Sequence, residues 1–181
     1  MSIILLRGFS HSGKDFIGQI LCDKYGYKRF AFADSLKKIV AKEYNCPLKH
    51  LHSQEGKIQI CESDMLKRTY RQILIDEALR LRNINIDIFV NHCCQEIISL
   101  EKIPDKIVIT DWRYQNEINI IKKIFPEHKI IPVHIQRVNQ LKSPVNDVSE
   151  YQLNDRINDY IIINKMNDDI YEEIEKIIKS I

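Results

Sequence analysis

Gly8-Phe9-Ser10-His11-Ser12-Gly13-Lys14-Asp15, "GFSHSGKD", is the stretch on which the reading of this 181-residue chain turns. Two glycines enclose four residues, and a lysine follows the second. That spacing belongs to loops whose backbone amides cradle phosphates while the lysine neutralises their charge. The next residue is usually Ser or Thr, because its hydroxyl reaches the magnesium of a bound nucleotide. Asp15 stands there instead.

The flanks give the loop its context. Residues 3–6 are a short apolar run, and residues 15–25 carry helical spacing at Phe16, Ile20 and Leu21. A loop between strand and helix aims its amides and the positive helix end at an anion. The motif therefore predicts phosphate binding by Gly8, Ser10, His11, Ser12, Gly13, Lys14 and Asp15, with Phe16 on the following helix. Periodicity predicts further strands over 28–32, 107–110, 129–135 and 160–163, and helices over 34–44, 64–82, 86–100, 114–125 and 168–178. The run 107–110 is short, β-branched and continuous, as a strand covered on both faces would be. Five strands separated by helices imply an α/β fold, a parallel sheet with helices on both faces.

Composition narrows the function classes. With 44% apolar and 29% charged residues the chain reads as soluble and globular, one domain long. A net charge of +2 gives no argument for nucleic acid or a membrane surface as partner. The opening MSIILLRG has no basic leader and only a four-residue apolar run, so the expected compartment is the cytoplasm. Five cysteines without framework spacing read as free thiols. Cys46, His50, His52 and Cys61 match no common zinc spacing, and His92-Cys93-Cys94 falls in a helix where neighbours diverge. No Gly/Ser linker or repeat marks a boundary.

A second strand end supports the loop. Residues 107–110 run directly into Asp111-Trp112-Arg113. An acidic residue at the tip of a neighbouring buried strand sits near the metal and the attacking group of nucleotide-binding folds. Arg113 can hold a phosphate through two parallel N–H bonds. Lys14, Asp111 and Arg113 are thus the candidate catalytic residues.

Together, GFSHSGKDF, Phe32-Ala-Asp34-Ser-Leu-Lys37 and Asp111-Trp-Arg113-Tyr-Gln-Asn116-Glu117 resemble the P-loop deoxynucleoside monophosphate kinases of large DNA phages and viruses. The resemblance spans most of the chain, since Asp147-Val-Ser149-Glu150 and Asn164 also match that family's pattern. In that family Asp commonly follows the loop lysine. The resemblance implies a nucleoside monophosphate kinase-like P-loop fold with a short lid over 137–148. It also implies ATP and magnesium as cofactors, a deoxynucleoside monophosphate as substrate, and a homodimer. Phe16 stands where the family has Thr, which leaves Asp15 and Asp111 as candidate metal ligands, directly or through water. The family's Gln and Gly-Thr-Glu are not visible near residues 75–80, where only Arg71 and Arg82 fit an acceptor role. Animal-type phosphomevalonate kinases share SGKDF and are the alternative, as is a nucleotide-binding ATPase or regulator without a small acceptor.

Several residues carry two readings. Asp34 and Lys37 open a helix, where Asp is an ordinary cap, and the resemblance places them at the substrate with Glu117. Arg68, Arg71, Arg80 and Arg82 fit a solvated helix face, and Arg71 and Arg82 alternatively an acceptor site. Arg137 is a lid cation for the transferring phosphoryl or an exposed loop charge. Asn164 caps a turn or touches the donor base. The following Asn164-Lys-Met-Asn167 imitates a guanine-reading motif but lacks its aspartate, with Asp168 one position off.

Overall fold

Strand β1 (Ser2–Arg7) is buried along its whole length and forms the centre of a five-stranded sheet. The computed structural model describes residues 1–140, 142, 148–154, 156, 159–165 and 169–181. After β1 come α1 (Lys14–Tyr25), β2 (Lys28–Phe30), α2 (Ala33–Glu43), α3 (Leu48–His52) and α4 (Gln54–Lys57). Then follow α5 (Tyr70–Ile84), α6 (Ile88–Ile98), β3 (Lys106–Ile109), α7 (Gln115–Ile124) and β4 (Lys129–Arg137). A 3-10 turn (Val148–Tyr151), β5 (Tyr160–Asn164) and α8 (Asp169–Lys179) complete the chain. The strand order is β2-β3-β1-β4-β5, and every pairing is parallel. The expected α/β architecture is the observed one.

Alternation along β1 sends Ile4 and Leu6 to one face and Ile3 and Leu5 to the other. On the first face they join Val108, Ile131, Val133, Ile135 and Ile162 in a core closed by Ile17, Ile20 and Leu21 of α1 and Ile170, Ile174 and Ile177 of α8. Right-handed crossovers require the β3-to-β4 connection to pass over the opposite face. That connection is α7, whose Ile118 and Ile121 are buried. Helices therefore cover both faces.

Two compact units divide the chain by their internal contacts. One holds the sheet and comprises Met1–Ala31 with Cys94–Ile181; the other is Phe32–Cys93. The second is helical, with Leu36, Val40, Leu51, Ile73 and Phe89 buried. Its polar hub is Arg68, read from sequence as part of a helix face. Arg68 donates to both oxygens of Asp64 (2.9 and 3.0 Å), to Asp76 (2.8 Å) and to the Tyr44 hydroxyl (3.1 Å). Bonding to Arg68 holds the Asp64 carboxyl at about 2. This cluster also corrects the predicted helix over 64–82. Asp64 accepts the Arg68 backbone amide, Lys67 has a positive φ of 51°, and Thr69 caps the Gln72 amide. The helix consequently begins at Tyr70. All five cysteines are free, and no group of three or more His, Cys, Asp or Glu able to hold a metal occurs among the described residues. No helix there is long and apolar enough to cross a membrane.

Helix α1 approaches the sheet closely at Gly18. A Cβ there would lie 2.6 Å from Thr110 Cγ2, inside any real contact distance. Gly18→Ala gains about 1 kcal/mol of helix propensity and loses about 1–3 kcal/mol to overpacking. The expected outcome is net destabilisation of about 1 kcal/mol in urea titrations, relieved in Gly18→Ala/Thr110→Ser, which lacks the obstructing methyl. A single variant as stable as the parent would mean that α1 shifts outward at no cost.

Candidate functional site

Because the sheet is parallel, the carboxyl ends of β1, β3, β4 and β5 lie at one edge, where open α/β sheets bind ligands. The GFSHSGKD loop leaves β1 there. Gly8 has φ +146°, and a Cβ on it would fall 2.3 Å from the Ile135 carbonyl oxygen. Gly13 has φ +102°, and its Cβ would meet Asn164 Nδ2 at 2.4 Å. Both positions demand glycine for conformation and for space. Asn164 is buried and donates to Ser12 O at 2.9 Å, so it braces the loop from β5. That is the turn-capping reading of Asn164.

Gly13 is the N-cap of α1 and offers no side-chain acceptor to the helix amides. The first N–H groups of α1 therefore remain available to an anion, beside the positive end of the helix dipole. Ser12 Oγ is buried and has no hydrogen-bond partner among the described residues. An uncapped helix start, two glycines in left-handed geometry and an orphaned buried hydroxyl fit a phosphate group. Asp15 is exposed in the first turn of α1, Phe16 is 54% exposed, and His11 has φ +65°.

Lys14 bends back onto its own loop, donating to Gly8 O and Phe9 O, both at 2.8 Å. Burial lowers its ammonium to about 8; Glu150 pulls the other way, Arg113 adds to the lowering, and Asp15 and Asp111 oppose it. Arg137 donates to His11 O (3.2 Å) and Gln140 to Ser10 O (2.7 Å), so the end of β4 and the residues after it grip the loop. The remainder of the expected lid lies mostly outside the described residues, as do Asp147 and residues 166–168 of the guanine-motif imitation.

At the end of β3, Thr110 Oγ1 is buried and without a partner among the described residues, and Asp111 follows, half-buried. The Arg113 and Tyr114 amides both donate to one oxygen of Glu117, at 2.9 and 3.0 Å. Glu117 is buried and fixes the turn into α7. The Arg113 guanidinium reaches Ser149 Oγ (2.5 Å) and Glu150 (2.7 Å). Glu150 in turn accepts the amide of Ser10 within the phosphate loop.

A second arginine system supports the base of the loop. Arg7, the residue before Gly8, bonds Asp159 at 2.5 Å with both side chains buried. Arg156 bonds the other oxygen of Asp159 at 2.9 Å and stacks on Trp112, 4.8 Å from the ring centre. Arg7, Trp112, Arg113, His134, Ser149 and Glu150 line a narrow cleft next to Gly8 and Phe9. Burial, then Arg7, lowers the His134 imidazole to about 4, so it is neutral near pH 7. Sequence reading placed Glu150 only within a family pattern and did not select Arg7, His134, Arg156 or Asp159. A charged residue ending an otherwise apolar strand was the visible signal for Arg7.

The remaining candidates lie in the other unit. Lys37 pairs with Asp34 at 3.1 Å and lies 3.4 Å from His52 Nδ1. Arg71 donates to Gln54 (2.8 Å), and the Arg82 guanidinium sits 4.6 Å from the centre of the Phe89 ring.

No protein-family model matches the chain, and no curated protein matches it. Among solved structures it is similar to a candidate kinase from Chloroflexus aurantiacus, with TM-score 0.53 and 8% identity over 99% of this chain and 98% of that one. It is also similar to a shikimate kinase from Aquifex aeolicus, with TM-score 0.45 and 13% identity over 98% and 94%. A gluconokinase from Sinorhizobium meliloti aligns with TM-score 0.43 and 10% identity over 97% and 88%. The likeness to the Chloroflexus structure is one of fold, a five-stranded parallel α/β sheet.

A lysine titrating near 8 makes anion binding sensitive to mild alkali. The phosphates favour the charged ammonium, so affinity is full below about 8 and declines as pH rises through that value. Calorimetric titration with ADP from pH 7.5 to 9.5 is expected to show that decline, and Lys14→Arg, which stays charged, to flatten it. An unchanged affinity in the parent protein would remove Lys14 from the phosphate site.

Proposed function

We propose that the protein is an ATP-dependent kinase that phosphorylates a deoxynucleoside 5′-monophosphate to the diphosphate, supplying precursors of DNA. One observation carries the kinase reading. Within one compact unit, an uncapped phosphate loop with its lysine and a rigidly based arginine converge on the same carboxylate, Glu150. Two anion-binding groups on different strands fit a donor and an acceptor phosphate. The motifs around Phe32, Asp111 and Asn164 favour a deoxynucleotide as acceptor.

In this reading the loop amides and the start of α1 hold the donor phosphates, and Lys14 turns from Gly8 O and Phe9 O to the bridging charge. Magnesium supplies charge neutralisation when bound. Asp15 and Asp111 are the carboxylates available to it, consistent with a metal held by one or two carboxylates and the nucleotide phosphates. Arg113, its backbone fixed by Glu117, receives the acceptor phosphate through a planar fork. An acceptor that is already an oxyanion needs no general base. The residues therefore act by positioning and by fixed charge.

ADP formation measured with magnesium-ATP against each deoxynucleoside and ribonucleoside monophosphate, and against phosphomevalonate, tests the assignment. Turnover on phosphomevalonate alone overturns the acceptor, and ATP consumption indifferent to every acceptor overturns the kinase.

Arg113→Ala is expected to raise the KM for the monophosphate about 10- to 100-fold, the loss of a charge-assisted contact of about 1.5–3 kcal/mol. The KM for ATP is expected not to rise. Arg113→Lys restores only part, because an ammonium lacks the fork. Titrating each substrate at saturating levels of the other separates the two constants, and a rise confined to ATP would move Arg113 to the donor side.

A further inference from the structure

Glu150 lies where an anion is wanted. Its Oε2 accepts the Ser10 amide, a backbone donor inside the phosphate loop, and its Oε1 pairs with Arg113 at 2.7 Å. The side chain is only 2% exposed. Ser149 Oγ accepts from the other guanidinium nitrogen, and Phe9 packs on Tyr151 with ring centres 5.2 Å apart. The short turn Val148–Tyr151 is thus fastened to Arg113 on one side of the carboxylate and to the loop on the other. Lys14, meanwhile, is bonded to two loop carbonyls. A carboxylate that spans a loop amide and a cleft arginine makes the contacts a phosphoryl group between donor and acceptor would make.

We propose that Glu150 is an internal anion that fills the phosphoryl position of the nucleotide-free protein and must withdraw before phosphates are held. This rests on the nucleotide reading above. A buried carboxylate among cations keeps the loop amide and Arg113 satisfied while no phosphate is present, which avoids leaving desolvated donors unpaired. The same contacts compete with every incoming anion. The observed affinity is the intrinsic affinity reduced by the fraction of molecules in which the site is open. Glu150 is therefore a brake on nucleotide binding, released when phosphate replaces its bond to the loop.

Glu150→Gln keeps the shape and removes the charge. Calorimetry with ADP is expected to show Glu150→Gln and Glu150→Ala binding at least about tenfold more tightly than the parent, corresponding to about 1.4 kcal/mol. Equal or weaker ADP binding by both variants overturns the inference and leaves the nucleotide site standing. Lower turnover with unchanged ADP affinity also overturns it, since Glu150 would then only position Arg113. Binding of ADP by none of the three proteins overturns both this inference and the nucleotide site. Should neither variant fold, the assigned carboxyl carbon resonance of Glu150 in the unmodified protein serves instead. It is expected to shift on saturation with ADP, and a stationary resonance overturns the inference.

Discussion

A helix that starts without a side-chain cap leaves amides that need an acceptor, and the architecture of the sheet unit is arranged around that need at α1. Gly13 gives the turn its left-handed bend and supplies no acceptor, while Gly8 lets the loop pass against the Ile135 carbonyl. Any side chain at either glycine would collide with β4 or with Asn164. The loop is thereby held by the ends of β1, β4 and β5 together. A fixed, positively polarised backbone costs little reorganisation when charge arrives, which is the property electrostatic catalysis depends on.

Charge at the sheet edge is distributed by rank of burial. Arg7 and Asp159 form an inner pair with both side chains buried, and removing one partner of such a pair leaves an uncompensated charge. Arg156 is shared between Asp159 and the Trp112 ring, which ties that inner pair to the segment following β3. Arg113, 31% exposed in its side chain, is the outer cation. The gradient separates structural arginines from one able to exchange partners.

The fold and half of this site were legible in the sequence because they depend on local pattern. Strand–loop–helix continuity around Gly8 to Lys14, and an apolar run ending in Asp111-Trp112-Arg113, are signals within a dozen residues. The bond from Ser10 to Glu150 joins residues 140 apart, and the Arg7–Asp159 pair joins residues 152 apart. Periodicity is blind to such partners. Helices α3 and α4 escaped notice for a different reason: at five and four residues they are too short to show an apolar repeat. Arg68 looked like one more surface charge because its anchors, Asp64, Asp76 and Tyr44, gather only after α2 and α5 pack.

The central position of β1 has a kinetic consequence. Its register pairs Ser2 with Lys106 on one side and with Lys129 on the other, so β1 has no neighbour until more than a hundred further residues have been made. Closing loops of that length delays the reward of sheet formation, and parallel pairing at long separation folds slowly. Meanwhile the apolar stretch Ile3 to Leu6 stays an unpaired edge, the kind of segment that invites association between nascent chains. Phe32–Cys93 closes its own contacts over short separations and faces no such wait. The stretch Ser2–Arg7 therefore stays open to association until its partner strands around Lys106 and Lys129 have been made.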